Sequence, residues 1–122
     1  MSKTIMIVDD SASVRQLVSM VLKSKGYTVQ EAVDGRDALD KLGNERVHLV
    51  ISDVNMPRLD GIGFVQELKQ RPAHRFTPVL MLTTESEQHK KQAGQQAGAR
   101  AWMVKPFAPE QLLNAVQKLC LP

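Results

Sequence analysis

Four places in this chain set polar, chemically capable side chains directly at the end of a short apolar run. They are Asp9-Asp10, Asp53, Thr83-Thr84 and Lys105-Pro106. Three carboxylates brought together cannot all stay ionised unaided, because two unit charges ~4 Å apart repel by about 4 kcal/mol at an effective dielectric of 20. Either one carboxyl keeps a proton or a cation shares the site. Carboxylates, a backbone carbonyl and waters are the donor set that suits Mg2+, which keeps several waters and shares phosphate oxygens. An ammonium such as Lys105 neutralises part of the charge and can hold a phosphoryl oxygen. Thr83 adds a hydroxyl donor. Asp53 is then the candidate nucleophile, since carboxylates form acyl-phosphate intermediates. Taken singly, each residue has a plainer use. Asp10 or Ser11 could cap a helix, a threonine could pack, and a lysine could be solvated. The weight lies in their occurring together.

The elements that must position them alternate along the chain. Thr4–Val8, Thr28–Ala32, His48–Ser52, Pro78–Thr83 and Arg100–Val104 are short runs rich in Val, Ile, Leu or Met, and read as buried strands. Between the first two, Val14, Leu17, Val18, Val21 and Leu22 form a helical apolar stripe that Gly26 stops. Ala38, Leu39 and Leu42 give a second helix, and Ile62, Val65 and Leu68 a third that closes before Pro72. The last carries Leu112, Leu113, Val116 and Leu119 and opens at Pro109. Around Glu85–Ala97 the pattern is weak, with Ala93 and Ala97 as the only clear apolar positions. Five strands alternating with five helices predict an α/β domain with a parallel sheet covered on both faces. Ligands of such sheets sit beyond the carboxyl ends of the strands. Apart from the second strand, expected at an edge, that is where the polar residues stand.

Composition sets the bounds. The 122 residues are one ordinary domain, 43% hydrophobic and 24% charged, which suits a packed core. The single cysteine, Cys120, cannot close an internal disulfide. The apolar run after Thr4 is too short for a signal peptide or a membrane span, so a cytoplasmic location and no membrane partner are expected. The net charge of +3 comes from scattered bases and aromatics are 4%, against a nucleic-acid-binding arm.

Five segments in register carry a resemblance. Val8-Asp9-Asp10-Ser11, Asp53-Val54-Asn55-Met56-Pro57 with Asp60-Gly61, Thr83-Thr84-Glu85, Ala97-Gly98-Ala99 and Val104-Lys105-Pro106-Phe107 resemble the receiver domain of bacterial response regulators, and among them the stand-alone chemotaxis, CheY-like type. The resemblance covers residues 1–122 as a single receiver domain without an output domain. It implies a doubly wound five-stranded parallel sheet of order 2-1-3-4-5 with five helices. It implies that Asp53 accepts a phosphoryl group from a histidine kinase. Asp10, Asp53 and the Asn55 carbonyl would ligate Mg2+, or Mn2+ in its place, with Asp9 acting through water. Thr83 and Lys105 would bind phosphoryl oxygens, the peptide before Pro106 would be cis, and Trp102 would be the aromatic that turns inward on activation. Trp102 stands where Tyr or Phe is commoner, and its larger indole restricts that turn. Asn55, Thr84 and Glu85 match positions that tune phosphate lifetime. The implied partner is a flagellar-motor or other signalling protein, bound by a monomer through the face of the fourth helix, fifth strand and fifth helix.

Three alternatives stand beside this one. A phosphorelay intermediate would pass its phosphate to a histidine phosphotransfer protein. A Mg2+-dependent phosphohydrolase with an Asp nucleophile would want an acid/base carboxyl at position 55, where this chain has Asn55. A flavodoxin-type flavin module would want a hydroxyl- and glycine-rich phosphate loop after the first strand, where Asp9-Asp10 would repel the phosphate.

Overall fold

In a computed structural model, which describes residues 3–84 and 89–120, the chain forms five strands and five α-helices in alternation. They are β1 (Thr4–Val8), α1 (Ala12–Lys23), β2 (Thr28–Ala32), α2 (Gly35–Leu42), β3 (Leu49–Asp53), α3 (Gly61–Gln70), β4 (Val79–Thr83), α4 (Lys91–Ala97), β5 (Ala101–Val104) and α5 (Pro109–Leu119). A short 3-10 turn, Pro72–His74, follows α3. The sheet is parallel throughout, in the order β2-β1-β3-β4-β5, as expected.

Both faces of the sheet are covered, and the strand period of two divides the core. Ile5 and Ile7 of β1 point one way, with Val18 and Leu22 of α1 and Leu112 and Val116 of α5. Met6 and Val8 point the other way, with Leu39 and Leu42 of α2 and Phe64, Val65 and Leu68 of α3. Each central strand is therefore apolar on both sides, which is why it reads as a continuous run.

Helix starts are fixed by side chains. Ser11 Oγ accepts from the Val14 N–H at 3.3 Å, Asp34 Oδ1 from Asp37 N–H at 2.8 Å, and Asp60 Oδ1 from Gly63 N–H at 2.8 Å. These caps set where each loop at the strand ends turns.

The structure differs from the sequence expectation in several places. β3 begins at Leu49 and includes Asp53, β4 begins at Val79 and β5 at Ala101. β5 is only half-buried along its length, because it is an edge strand with one neighbour. Leu17 lies at the margin of the α1 stripe and is 41% exposed. The regular part of α4 is seven residues long and begins at Lys91. Ala93, expected to face the core, is exposed, while Gly94 is the buried residue.

Candidate functional site

The pocket at the strand ends is assembled from separate loops. Asp9 follows β1, and its N–H extends the ladder by donating to the Ala32 carbonyl at 3.1 Å. Its side chain is fully buried, with Oδ1 accepting from the Ser11 N–H at 2.9 Å, while Arg15 donates to its backbone carbonyl at 2.7 Å. Asp10, next in the chain, is exposed. Asp53 closes β3, with Oδ1 accepting from the Val54 N–H at 2.9 Å. α3 starts hard against it. A Cβ on Gly61 would collide with the Asp53 carbonyl oxygen, so only glycine lets the helix begin there.

β4 brings Thr83, 2% exposed, to the same end of the sheet. Lys105 follows β5, joined to Pro106 by a cis peptide, and its N–H donates to the Thr83 carbonyl at 2.6 Å. The Lys105 Nζ lies 3.3 Å from Asp9 Oδ2 and 3.0 Å from Asp53 Oδ1. Asp9, Asp10 and Asp53 each bring a carboxylate oxygen to within 4.8 Å of the others. The three carboxylates, the threonine and the lysine thus converge from four strand ends.

Burial sets the electrostatics. It pushes the Asp53 carboxyl up, the neighbouring Asp9 charge pushes it further, and Lys105 and the Val54 N–H pull only part of the way back. The result is about 6 against an ordinary 3.8. For Lys105, burial lowers the ammonium's pKa, but the hydrogen bond and charge of Asp53, with Asp9 behind them, carry it above its ordinary value. One ammonium therefore faces more negative charge than it can neutralise. An all-oxygen cluster with an excess of charge, two of its carboxylates buried and one exposed, fits a hard divalent cation that retains water. Near pH 7 Asp53 is largely ionised, and it can act as a nucleophile toward an electrophile entering the pocket.

Asn55 is exposed on the loop after β3, where its side-chain oxygen accepts from Lys90 Nζ at 2.9 Å. Thr84 is half-buried and lines an apolar recess with Val14, Leu17, Lys105, Pro106 and Phe107. Glu85 lies outside the described residues. Trp102 is half-buried and packs against the same core layer as α2 and α3. Its indole lies over Gly94, where a Cβ would collide with Cη2 and sit 2.6 Å from Cζ2. The missing side chain on α4 is what makes room for the large ring. The indole N–H is buried and has no acceptor among the described residues.

Gly61, Lys90 and Gly94 are contributors that the sequence reading did not assign. The Asp60-Gly61 pair was visible as a motif, though its steric reason was not.

The response regulator receiver domain model matches residues 5–117. The alkaline phosphatase synthesis transcriptional regulatory protein PhoP of Bacillus subtilis is 39% identical over 119 residues, which are 98% of this chain and 49% of PhoP. The chain thus spans about half the length of that relative. Protein PilG of Pseudomonas aeruginosa is 35% identical over 113 residues, 93% of this chain and 84% of PilG. Among solved structures, chemotaxis protein CheY4 of Vibrio cholerae superposes with a TM-score of 0.92 at 47% identity, covering 98% of this chain and 99% of CheY4.

Proposed function

The chain belongs to the response regulator receiver domain family of two-component signalling, and we propose that it carries its signal as an acyl phosphate on Asp53. Receiver domains bind Mg2+ in an acidic pocket and work between histidine kinases and downstream effectors. The observation that carries the proposal is the Lys105 ammonium, 3.0 Å from Asp53 and 3.3 Å from the buried Asp9, with Asp10 beside them.

In the proposed step an Asp53 carboxylate oxygen attacks the phosphorus of a phosphohistidine. The phosphorus–nitrogen bond breaks, its electron pair leaves with the imidazole, and that ring takes up a proton. Asp10, Asp53 and the Asn55 carbonyl would hold Mg2+, with Asp9 acting through water. When bound, the ion neutralises charge on the carboxylates and on the phosphoryl oxygens. Phosphorylation removes the carboxylate charge of Asp53, so Lys105 loses one of its two carboxylate partners and turns to a phosphoryl oxygen. The Thr83 hydroxyl donates to another. Asn55, Thr84 and Glu85 tune the lifetime of the acyl phosphate by governing water's approach, and the chain catalyses only this self-phosphorylation and its reversal by water.

The output face is α4, β5 and α5, with Trp102 reporting the state of Thr83. The indole is seated over Gly94, where a side chain on α4 would collide with it. A role in chemotaxis or flagellar control draws on the 47% identity with CheY4 over nearly the whole of both chains. Incubating wild type and Asp53→Asn with acetyl phosphate, with and without Mg2+, tests the reading. Incorporation into the wild type alone, and only with the ion, is expected. Equal incorporation into Asp53→Asn would refute it.

A further inference from the structure

The loop between β3 and α3, residues 54–60, follows Asp53 directly and carries Asn55. Three residues after Asn55, Arg58 sits at φ +64°, in the left-handed region that a side-chain-bearing residue adopts only at a cost. Glycine would take this conformation freely. Arginine here gains something local geometry does not supply. Its Nε donates to Asp34 Oδ2 at 2.7 Å and its Nη2 to Asp34 Oδ1 at 3.0 Å, a two-point fork across 24 residues. The Asp34 side chain is 4% exposed, whereas that of Arg58 is 58% exposed.

Asp34 is itself held, because it caps α2 through the Asp37 N–H. The next loop residue is tied to the same place, since the Leu59 carbonyl accepts from the Gly35 N–H at 3.2 Å. The loop is thus pinned at two successive residues to the start of α2, while Lys90 holds the Asn55 side chain from the α4 side. Between these ties lie only Met56 and the rigid Pro57.

We propose that the Arg58–Asp34 fork is a clamp that fixes the backbone of the Asn55 loop, and so sets both the pocket's affinity for Mg2+ and its preference for Mg2+ over Ca2+. Arg58 is a positioning residue, acting through Asn55 without touching the ion. This inference rests on the reading of the pocket as a Mg2+-dependent receiver site. Its physical basis is that Mg2+ demands near-ideal octahedral geometry, whereas Ca2+ tolerates irregular and longer ligand distances. Loosening one carbonyl ligand therefore penalises Mg2+ more. If the loop visits its competent geometry only part of the time, the apparent dissociation constant rises in proportion.

Calorimetric titration of Mg2+ and Ca2+ into the full chain, as wild type, Arg58→Gly, Arg58→Lys and Asp53→Asn, is the test, with urea unfolding in EDTA alongside. Arg58→Gly relieves the left-handed strain but also removes the partner of the buried Asp34, so the contrast between Mg2+ and Ca2+ is the readout that stability alone would not move. Its Mg2+ dissociation constant should rise about three- to tenfold, below the 10–100-fold typical of losing a ligand's direct partner. Its Ca2+ constant should change less, whichever way relieved strain and the lost Asp34 partner move the unfolding midpoint. Arg58→Lys, which keeps the charge without the fork, should fall between. Arg58→Gly with unchanged Mg2+ affinity, while Asp53→Asn loses it, would overturn the clamp alone. So would equal losses for both ions that track a loss of stability. A wild type that binds no Mg2+ would overturn the site reading, and the clamp with it.

Discussion

Replacing Asp53 by asparagine should make the metal-free protein more stable, and only above a certain pH. Asp53 is 5% exposed, and its carboxyl faces Asp9 and is pushed up to about 6 against 3.8 in the open chain. At about 1.4 kcal/mol per pH unit, ionising it in the folded protein costs about 3 kcal/mol. The folded chain holds the proton more tightly than the unfolded one. Stability associated with Asp53 is therefore fully present below pH ~4 and is lost as pH rises through about 6. Asparagine has nearly the shape of the protonated carboxyl and does not titrate. The gain from Asp53→Asn should be near zero at pH 4, grow between pH 4 and 6, and level off at about 2–3 kcal/mol. Urea unfolding in EDTA, repeated across that range, measures it, because carboxyls remote from the pocket titrate alike in both proteins and cancel in the difference. A shift of ~1 M or more in the midpoint is expected at pH 7.5, given typical urea slopes of about 1–3 kcal/mol/M. A gain that is the same at pH 4 and 7.5, or a less stable Asp53→Asn at neutral pH, would refute the reasoning.

Gly94→Ala should push the indole of Trp102 off α4, with a red-shifted emission and easier quenching of the chain's single tryptophan. An unchanged spectrum together with a gain of about 1 kcal/mol from helix propensity would contradict the packing account. Lys105→Met should destabilise the metal-free protein on the order of 3 kcal/mol at pH 7.5, by leaving Asp9 and Asp53 facing each other. That loss should shrink in acid as Asp53 takes a proton, and a pH-independent loss in the same urea experiment would argue for packing instead. Backbone amides of Lys91–Ala97 should exchange hydrogen faster than those of Val18–Leu22, since α4 buries only Gly94 and has no side-chain cap. Equal protection by mass spectrometry or NMR would remove α4 as the weakly held element.

What could be read from the sequence, and what could not, follows from the range of the interactions. Apolar runs bounded by charged or turn residues are local signals, so β1 and β2 were legible to the residue. Asp9, Asp10, Asp53, Thr83 and Lys105 were legible as a set because a parallel sheet puts its strand ends in one place. Asp53 belongs to its strand rather than following it, a one-residue slip that periodicity cannot resolve in a run apolar on both faces. Gly94 was hidden for a different reason. Its value lies in the absent Cβ opposite Trp102, and nothing within α4 reveals that partner. The Lys90–Asn55 and Arg58–Asp34 contacts span 35 and 24 residues, beyond any local pattern. The left-handed backbone of Arg58 was equally hidden, since arginine carries no preference for it.

Everything proposed for the pocket depends on which carboxyl carries the phosphoryl group. An acyl phosphate is a mixed anhydride, and borohydride reduces it to an alcohol, turning a phosphorylated aspartate into homoserine. Reduction after Mg2+-dependent labelling with acetyl phosphate, followed by peptide mass spectrometry, locates the modified residue. Homoserine at Asp53, absent when EDTA replaces Mg2+, is the result expected. Homoserine at Asp9 or Asp10, or label retained with every aspartate intact, would contradict the account.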